Sequence, residues 1–321
     1  MREMVTSLCA RVLEGEAITR DQAMRLYGAP LEPLCAAADR IRRHFCANRF
    51  DLCAIINAKS GACGEDCRFC AQSAHSAAGA ARYGLLPDGE ILRQAVRCRA
   101  QGVPRFSIVT SGRRLSDGEV DALCRAVRRV VEETGLYVCV SVGLLDQDGF
   151  SRLKRAGARR AHNNLETSRA FFPSVCTTHS FEDKLSAIRA AQGAGLEVCS
   201  GGIMGLGETP RDRVDMAFSL RELGVKSVPL NMLNPIPGTP FAGNRALDIA
   251  QMRRIAAVYR FILPDAFIRL AGGRALLPDR GAGCFTSGAN AAITGDMLTT
   301  GGVAAQLDLA LARDLGYETG L

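Results

Sequence analysis

Short runs of largely apolar residues recur along the chain from about Asp51. They lie at 52–57, 105–110, 137–142, 158–162, 197–203, 226–232 and 267–271, with a weaker one at 291–294. Each is too short for an ordinary helix and is bounded by polar or glycine-rich residues, so each reads as a buried strand. Between them, apolar positions return every three or four residues at 119–134, 181–194, 211–223 and 250–263, which predicts helices buried along one face. Repeated strand–helix units imply parallel pairing through right-handed crossovers. Eight such units close a barrel, whereas six would leave it partly open. The expectation is an α/β fold, a (β/α)8 barrel of the TIM type over residues 51–302.

The first 50 residues carry a different pattern. Leu31, Leu34, Ala38 and Ile41 keep helical spacing, and Thr19 with Gln22 forms a candidate capping box. Residues 1–50 therefore read as an N-terminal helical extension, and 303–321 as a C-terminal helical tail. No low-complexity segment or hydrophilic linker divides the barrel.

Composition changes this picture little. At 47% hydrophobic and 23% charged the chain can bury a large core. Its net charge of +7 is dispersed over helix faces, Trp is absent, and no basic run is interleaved with aromatics, so nucleic acid is not an expected partner. No apolar stretch approaches the roughly 20 residues that span a bilayer, and the N-terminus has no signal-peptide pattern. A cytoplasmic protein is expected, and in that compartment the 13 cysteines are metal ligands, reactive thiols or small buried hydrophobes rather than disulfides.

The chemistry concentrates after the first strand. Cys63, Cys67 and Cys70 stand at the spacing C-x3-C-x2-C on a short loop. Three thiolates so placed reach three corners of a cubic iron–sulfur cluster and leave the fourth iron open. A structural zinc site short of one ligand is the alternative. The loop follows the C-terminal end of a strand, where barrel active sites lie. Gly201, Ile203 and Gly205, in the run GGIMGLGE ending at Glu208, allow a ligand to approach the backbone closely. Asn164 and Glu166, after the fourth strand, could bind ribose hydroxyls.

Strand alternation adds a second set. One face carries Cys53, Ile55 and Asn57 on the first strand; Arg105, Ser107 and Val109 on the second; and Tyr137, Cys139, Ser141 and Gly143 on the third. The same face carries Cys199, Gly201 and Ile203, then Ser227, Pro229 and Asn231, then Phe267, Arg269 and Ala271. An unpaired polar group buried there costs on the order of 1–3 kcal/mol, so something polar must occupy the lumen. Cys53, Cys139 and Cys199, converging with Arg269, read as holding a second metal cluster. Cys9, Cys35, Cys98, Cys124 and Cys176 read as structural, and Cys46 and Cys284 stay open.

The cysteine loop, with Phe69 just before its last cysteine, resembles the radical S-adenosylmethionine superfamily. Longer runs narrow the resemblance to the biotin synthases: NAKSGAC from Asn57, CSGGIMGLGET from Cys199, VPLNMLNPIPGTP from Val228, IRLAGGR from Ile268, and GAN from Gly288 with LTT from Leu298. The resemblance implies conversion of dethiobiotin to biotin, with hydrogen abstraction by two 5′-deoxyadenosyl radicals and sulfur supplied by an auxiliary iron–sulfur cluster. It implies that Cys63, Cys67 and Cys70 hold a 4Fe–4S cluster. Phe69, Asn164, Glu166, Gly201, Ile203 and Gly205 then meet S-adenosylmethionine, and Asn164 and Asn231 meet dethiobiotin. It also places Arg269 in the catalytic centre and implies a homodimer, a flavodoxin- or ferredoxin-type electron donor, and cluster-assembly proteins.

Two departures matter. The family's third auxiliary cysteine on the second strand is replaced by Ser107, and its Asn-His-Asn order on the fourth is here His162, Asn163, Asn164. Cys53 is the natural substitute ligand and Cys46 a reserve, so the auxiliary cluster is either 2Fe–2S or a four-iron variant. Other readings of the chain are a related radical enzyme of the hydrogenase-maturation or amino-acid mutase type, or a non-enzymatic iron–sulfur carrier.

Overall fold

A computed structural model describes residues 1–320. Three helices come first, α1 (Arg2–Leu13), α2 (Arg20–Tyr27) and α3 (Leu31–Cys46). The barrel follows: β1 (Arg49–Lys59), α4 (Asp88–Ala100), β2 (Arg105–Thr110), α5 (Asp117–Thr134), β3 (Tyr137–Ser141), α6 (Gln147–Arg155) and β4 (Arg160–His162). Next are α7 (Phe181–Gly193), β5 (Glu197–Cys199), β6 (Gly202–Met204), α8 (Pro210–Glu222), β7 (Ser227–Met232), α9 (Ile249–Ile262) and β8 (Phe267–Leu270). The short α10 (Ala282–Phe285), β9 (Ala291–Thr294), α11 (Ala305–Asp314) and β10 (Glu318–Thr319) complete the chain.

Every strand pairing in the sheet is parallel, and β1 pairs with both β2 and β9, which closes the ring. β5 and β6 together supply one stave, so the barrel has eight, as the alternation of strand and helix patterns predicts. The fifth predicted strand, 197–203, is broken at Ser200 and Gly201 for a local reason. A Cβ on Gly201 would lie 1.9 Å from the Pro229 carbonyl oxygen, and Pro229 has no N–H to offer the ladder. The stave survives because Ser200 N–H donates to the Ser227 carbonyl at 3.0 Å.

Helix starts are set by side chains. Thr19 and Gln22 form the expected capping box, and Ser116–Glu119, Ser180–Asp183, Thr209–Asp212 and Asp248–Gln251 form four more. Each such reciprocal pair satisfies two amides that the helix itself leaves free. The N-terminal helices are not a detached unit. Val5, Leu8, Leu34 and Ile41 belong to the same continuous core as Val138, Leu230 and Ile268 of the barrel, and α3 packs against α9. The tail ends in a strand as well as a helix, because β10 pairs with Arg49 and Phe50 of β1.

Candidate active site

The loop after β1 is folded tightly on itself. Cys63 N–H donates to the Gln72 carbonyl at 3.1 Å, and Ala74 N–H donates to the Cys63 carbonyl at 2.7 Å. Gln72 Oε1 accepts from Gly61 N–H at 3.2 Å. The loop's other edge is pinned by Arg68 N–H to the Val175 carbonyl, 2.9 Å, and Asp66 N–H to Thr178 Oγ1, 3.1 Å. Cys63, Cys67 and Cys70 are half-buried while the other ten cysteines are buried. All three line one cavity of about 390 Å³ that reaches down into the barrel.

The same cavity is lined by Cys53, Ile55, Ser107, Val109, Cys139, Ser141, Cys199, Ile203, Pro229, Asn231 and Arg269. These are residues that alternation assigned to the lumen. Ser107 lies in register with Cys139, Cys139 with Arg160, and His162 with Cys199. The neighbouring Cys53 sulfur, followed by burial, pushes the Cys139 thiol far up. Ser227 Oγ donates to Cys199 Sγ at 3.2 Å. Cys46 is elsewhere: its sulfur accepts from Arg260 Nη1 at 3.3 Å at the end of α3 and does not line the cavity. Its standing as a reserve ligand is corrected accordingly. Cys284 is likewise buried away from the cavity, in α10.

Below the thiols lies a buried ionic group that alternation did not reveal. Asp51 Oδ1 accepts from Arg105 Nε and Oδ2 from Arg269 Nη2, both at 2.7 Å, and Arg160 Nη1 is 3.6 Å from Oδ2. Burial alone would raise the Asp51 carboxyl, but the three guanidiniums outweigh it and hold it below the usual range. Arg160 also donates to Glu197 Oε2 at 2.7 Å, which still leaves more positive than negative charge in this group. Arg105 Nη1 is buried with no partner among the described residues. Unpaired buried cations are costly, and an anionic metal–thiolate group above them would offset that. Cys53, Cys139, Cys199 and this positive floor therefore fit an iron–sulfur cluster.

At the upper rim, Asn164 Oδ1 accepts from Gly201 N–H at 3.1 Å, which fixes the amide's orientation. His162 Nε2, 3.0 Å from the same oxygen, must then carry the proton, and Nδ1 accepts from Ser141 Oγ at 3.1 Å. Burial lowers the His162 pKa to about 4, so the ring is neutral. Glu166 adopts a left-handed backbone, φ +68°, and its Oε2 is buried without a partner among the described residues. Burial raises its carboxyl. Asn231 links strand ends, with Nδ2 donating to the Gly202 carbonyl at 3.1 Å and Oδ1 accepting from Gly272 N–H at 2.9 Å. Phe69 and Ile203 line the cavity and pack with Val175, Leu206, Leu233 and Phe241. Gly201 and Gly205 do not line it: Gly201 sits against Pro229, and Gly205 N–H donates to Glu208 Oε1 at 2.9 Å.

Cys176 requires correction. Far from standing away from the chemistry, its Sγ is 3.7 Å from Cys67 Sγ and 3.2 Å from His179 Nδ1. The hydrogen bond between the two thiols pushes Cys67 up and lowers Cys176 to about 4.

A closed parallel barrel with three half-buried thiols at its mouth defines a radical S-adenosylmethionine enzyme, and the Radical SAM superfamily model matches residues 58–220. The Biotin and Thiamin Synthesis associated domain matches 229–318. The chain is 55% identical to the biotin synthase of Brachyspira hyodysenteriae over 308 residues, 96% of this chain and 92% of that one. It is 54% identical to biotin synthase 2 of Corynebacterium diphtheriae, covering 99% of this chain and 96% of the other. The chain belongs to the biotin synthase family, and membership implies a 4Fe–4S cluster and S-adenosylmethionine. Among solved structures, a methylornithine synthase superposes with a TM-score of 0.85 at 21% identity, covering 98% of this chain and 97% of the other. An FeFe-hydrogenase maturase superposes at 0.83 and 16% identity, covering 100% and 76%. At these identities the likeness concerns the fold alone.

Proposed function

We propose that this chain converts dethiobiotin to biotin by radical sulfur insertion. Cys63, Cys67 and Cys70 would hold the 4Fe–4S cluster. Cys53, Cys139 and Cys199, with Arg269 beside them, would hold an auxiliary cluster, either 2Fe–2S or a four-iron variant. When bound, the two groups supply the electron that cleaves S-adenosylmethionine to a 5′-deoxyadenosyl radical and the sulfide that becomes the product's sulfur. The observation that carries this reading is one cavity with thiols at both ends, the upper three at the mouth and the lower three above a positive floor.

The chain's own groups then have separate tasks. Glu166, with an unpaired buried oxygen, is available to ribose hydroxyls, and the neutral His162 holds the Asn164 amide in one orientation. Asn231 holds the strand ends on which dethiobiotin would rest, and Arg269 and Arg160 balance the charge of the lower thiolates. The half-buried mouth admits substrates, and the lumen walls of Ile55, Val109 and Ile203 keep water from a reactive radical.

On the same reading residues 51–302 form the catalytic barrel, with 1–50 and 303–321 as extensions. The enzyme works in the cytoplasm as a homodimer, reduced by a flavodoxin- or ferredoxin-type donor and reloaded by cluster-assembly proteins. Among the described residues no helix is long and apolar enough to cross a membrane. An anaerobic assay with dithionite, S-adenosylmethionine and dethiobiotin tests the proposal by scoring biotin and 5′-deoxyadenosine. Formation of 5′-deoxyadenosine without biotin would keep the superfamily and remove the substrate.

A further inference from the structure

We propose that Cys67, Cys176 and His179 form a second metal site, a three-ligand pocket for one thiophilic divalent cation such as Zn2+. It shares Cys67 with the radical loop, so a cation held there keeps the 4Fe–4S cluster from assembling. The exclusion, though not the site, rests on the reading of Cys67 as a cluster ligand.

The geometry is that of a tetrahedral site. Two sulfurs each about 2.3 Å from a zinc ion at the tetrahedral angle stand about 3.8 Å apart. Cys67 Sγ and Cys176 Sγ are 3.7 Å apart. A sulfur and an imidazole nitrogen on the same ion stand about 3.6 Å apart. His179 Nδ1 is 3.2 Å from Cys176 Sγ, and the three residues offer ligand atoms within 4.8 Å of one another. Two thiolates and one imidazole suit zinc and its spectroscopic substitute cobalt better than a hard cation.

The surroundings favour positive charge at this point. Cys176 Sγ faces Asp66 Oδ1 at 3.1 Å, Thr178 Oγ1 at 3.4 Å, His179 Nδ1 and Cys67 Sγ. Asp66 brings a carboxylate and Thr178 a hydroxyl oxygen to this sulfur, so the place is electronegative. His179 Nδ1 is also contacted by Glu65 Oε2, while Nε2 is buried without a partner among the described residues. Glu65 Oε2 stands against the same nitrogen that would bind the cation, so the ion would take the place of the Nδ1 proton with the carboxylate beside it to balance its charge. The ring is held further by the edge of Phe172, with centroids 5.6 Å apart.

Neither loop needs to move to form the site. Asp66 Oδ1 accepts from Thr177 N–H at 2.8 Å, which ties the Cys67 loop to the Cys176 segment before any metal arrives. A cavity separate from the barrel lumen is lined by Cys176, His179, Phe172 and Glu182, whereas Cys67 lines the lumen. Cys176 and His179 are thus reached without crossing the substrate cavity, and a water would complete the ligand set. A cation seated on Cys67 occupies the sulfur that the upper cluster would need alongside Cys63 and Cys70.

The test starts from the full chain as the cluster-free Cys63→Ala, Cys70→Ala variant, titrated anaerobically with Co2+. Thiolate-to-cobalt charge transfer and tetrahedral ligand-field bands are recorded with and without a further Cys176→Ala change. The lower thiols are common to both, so the difference isolates this site. Expected are the loss of one equivalent of tetrahedral cobalt with Cys176→Ala, weakening of at least about tenfold with His179→Gln, and displacement of the cobalt by Zn2+. Cys176→Ser, with matched far-UV spectra, guards against loss of the fold. In the otherwise unchanged chain, one equivalent of Zn2+ added first blocks reconstitution of the upper cluster, and Cys176→Ala relieves the block. Identical cobalt spectra with and without Cys176 overturn the site. If cobalt binds as expected but the zinc-free protein takes up no cluster on Cys63, Cys67 and Cys70, the cluster reading fails and the metal site stands.

Discussion

Asp51 Oδ2 and Arg269 Nη2 meet at 2.7 Å with both side chains almost wholly removed from water. The same carboxylate also receives Arg105, so one negative charge organises a floor of guanidiniums beneath the thiols. Removing one member of a buried pair leaves the other charged and uncompensated, at about 3–5 kcal/mol. Asp51→Asn is therefore expected to destabilise the metal-free protein by about that amount in urea unfolding. The loss should shrink once the lower cluster is reconstituted, because its negative charge replaces the missing carboxylate. Equal losses with and without iron would show that the floor does not sense the cluster.

Ser107 lies in register with Cys139, but it is the neighbouring Cys53 sulfur that pushes the Cys139 thiol up. A serine hydroxyl must lose a proton of high pKa to bind iron, whereas a thiol does so readily near neutrality. Cys53→Ala should lose the lower cluster while keeping the upper one, and Ser107→Ala should keep both. Iron and sulfide counting with Mössbauer spectra of the anaerobically reconstituted variants checks this. The reverse pattern would return Ser107 to the ligand set.

The lumen was legible because strand geometry is strictly periodic. Cys53, Ser107, Cys139, Cys199, Asn231 and Arg269 follow from parity alone once the strands are located, and all line the cavity. Asp51 shares that parity and was missed only because the first strand reads as starting at 52, while it starts at Arg49. An acid at a strand start, facing arginines of lumen parity on three other strands, was the available signal. Cys176 had no such signal. Its place beside Cys67 is set by Asp66 bonding Thr177 and Arg68 bonding Val175, contacts more than a hundred residues apart that no local pattern encodes. Gly201 has a packing cause as well. Its smallness is required by the close approach of Pro229, which the sequence does not reveal.

Glu166 is held at φ +68°, a region that costs a non-glycine residue on the order of 1 kcal/mol, with one carboxylate oxygen unpartnered among the described residues. Strain and an unpaired acceptor at one residue point to a ligand that repays both. Glu166→Gln keeps the shape and removes the charge. A hydrogen bond to a charged group contributes about 1.5–3 kcal/mol, so the KM for S-adenosylmethionine should rise roughly tenfold or more. The thermal midpoint of the ligand-free protein should be unchanged or higher, since a buried unpaired carboxylate is lost. A fall in that midpoint without a change in KM would make Glu166 structural.

His162 gives a pH dependence whose sign is fixed. Burial lowers its pKa from 6.5 to about 4, so between those values the unfolded chain binds a proton that the folded chain refuses. Stability linked to this group is therefore fully present above 6.5 and is lost as pH falls toward about 4, up to about 3 kcal/mol in total. Other titrating groups contribute as well, so the comparison is with His162→Asn, which removes this one proton. Urea unfolding of the metal-free proteins near neutrality and again near about pH 4.5 should show the parent losing more stability than the variant. Equal losses would mean that the ring is protonated inside the fold, with Nδ1 donating to Ser141 Oγ while Nε2 still donates to Asn164 Oδ1.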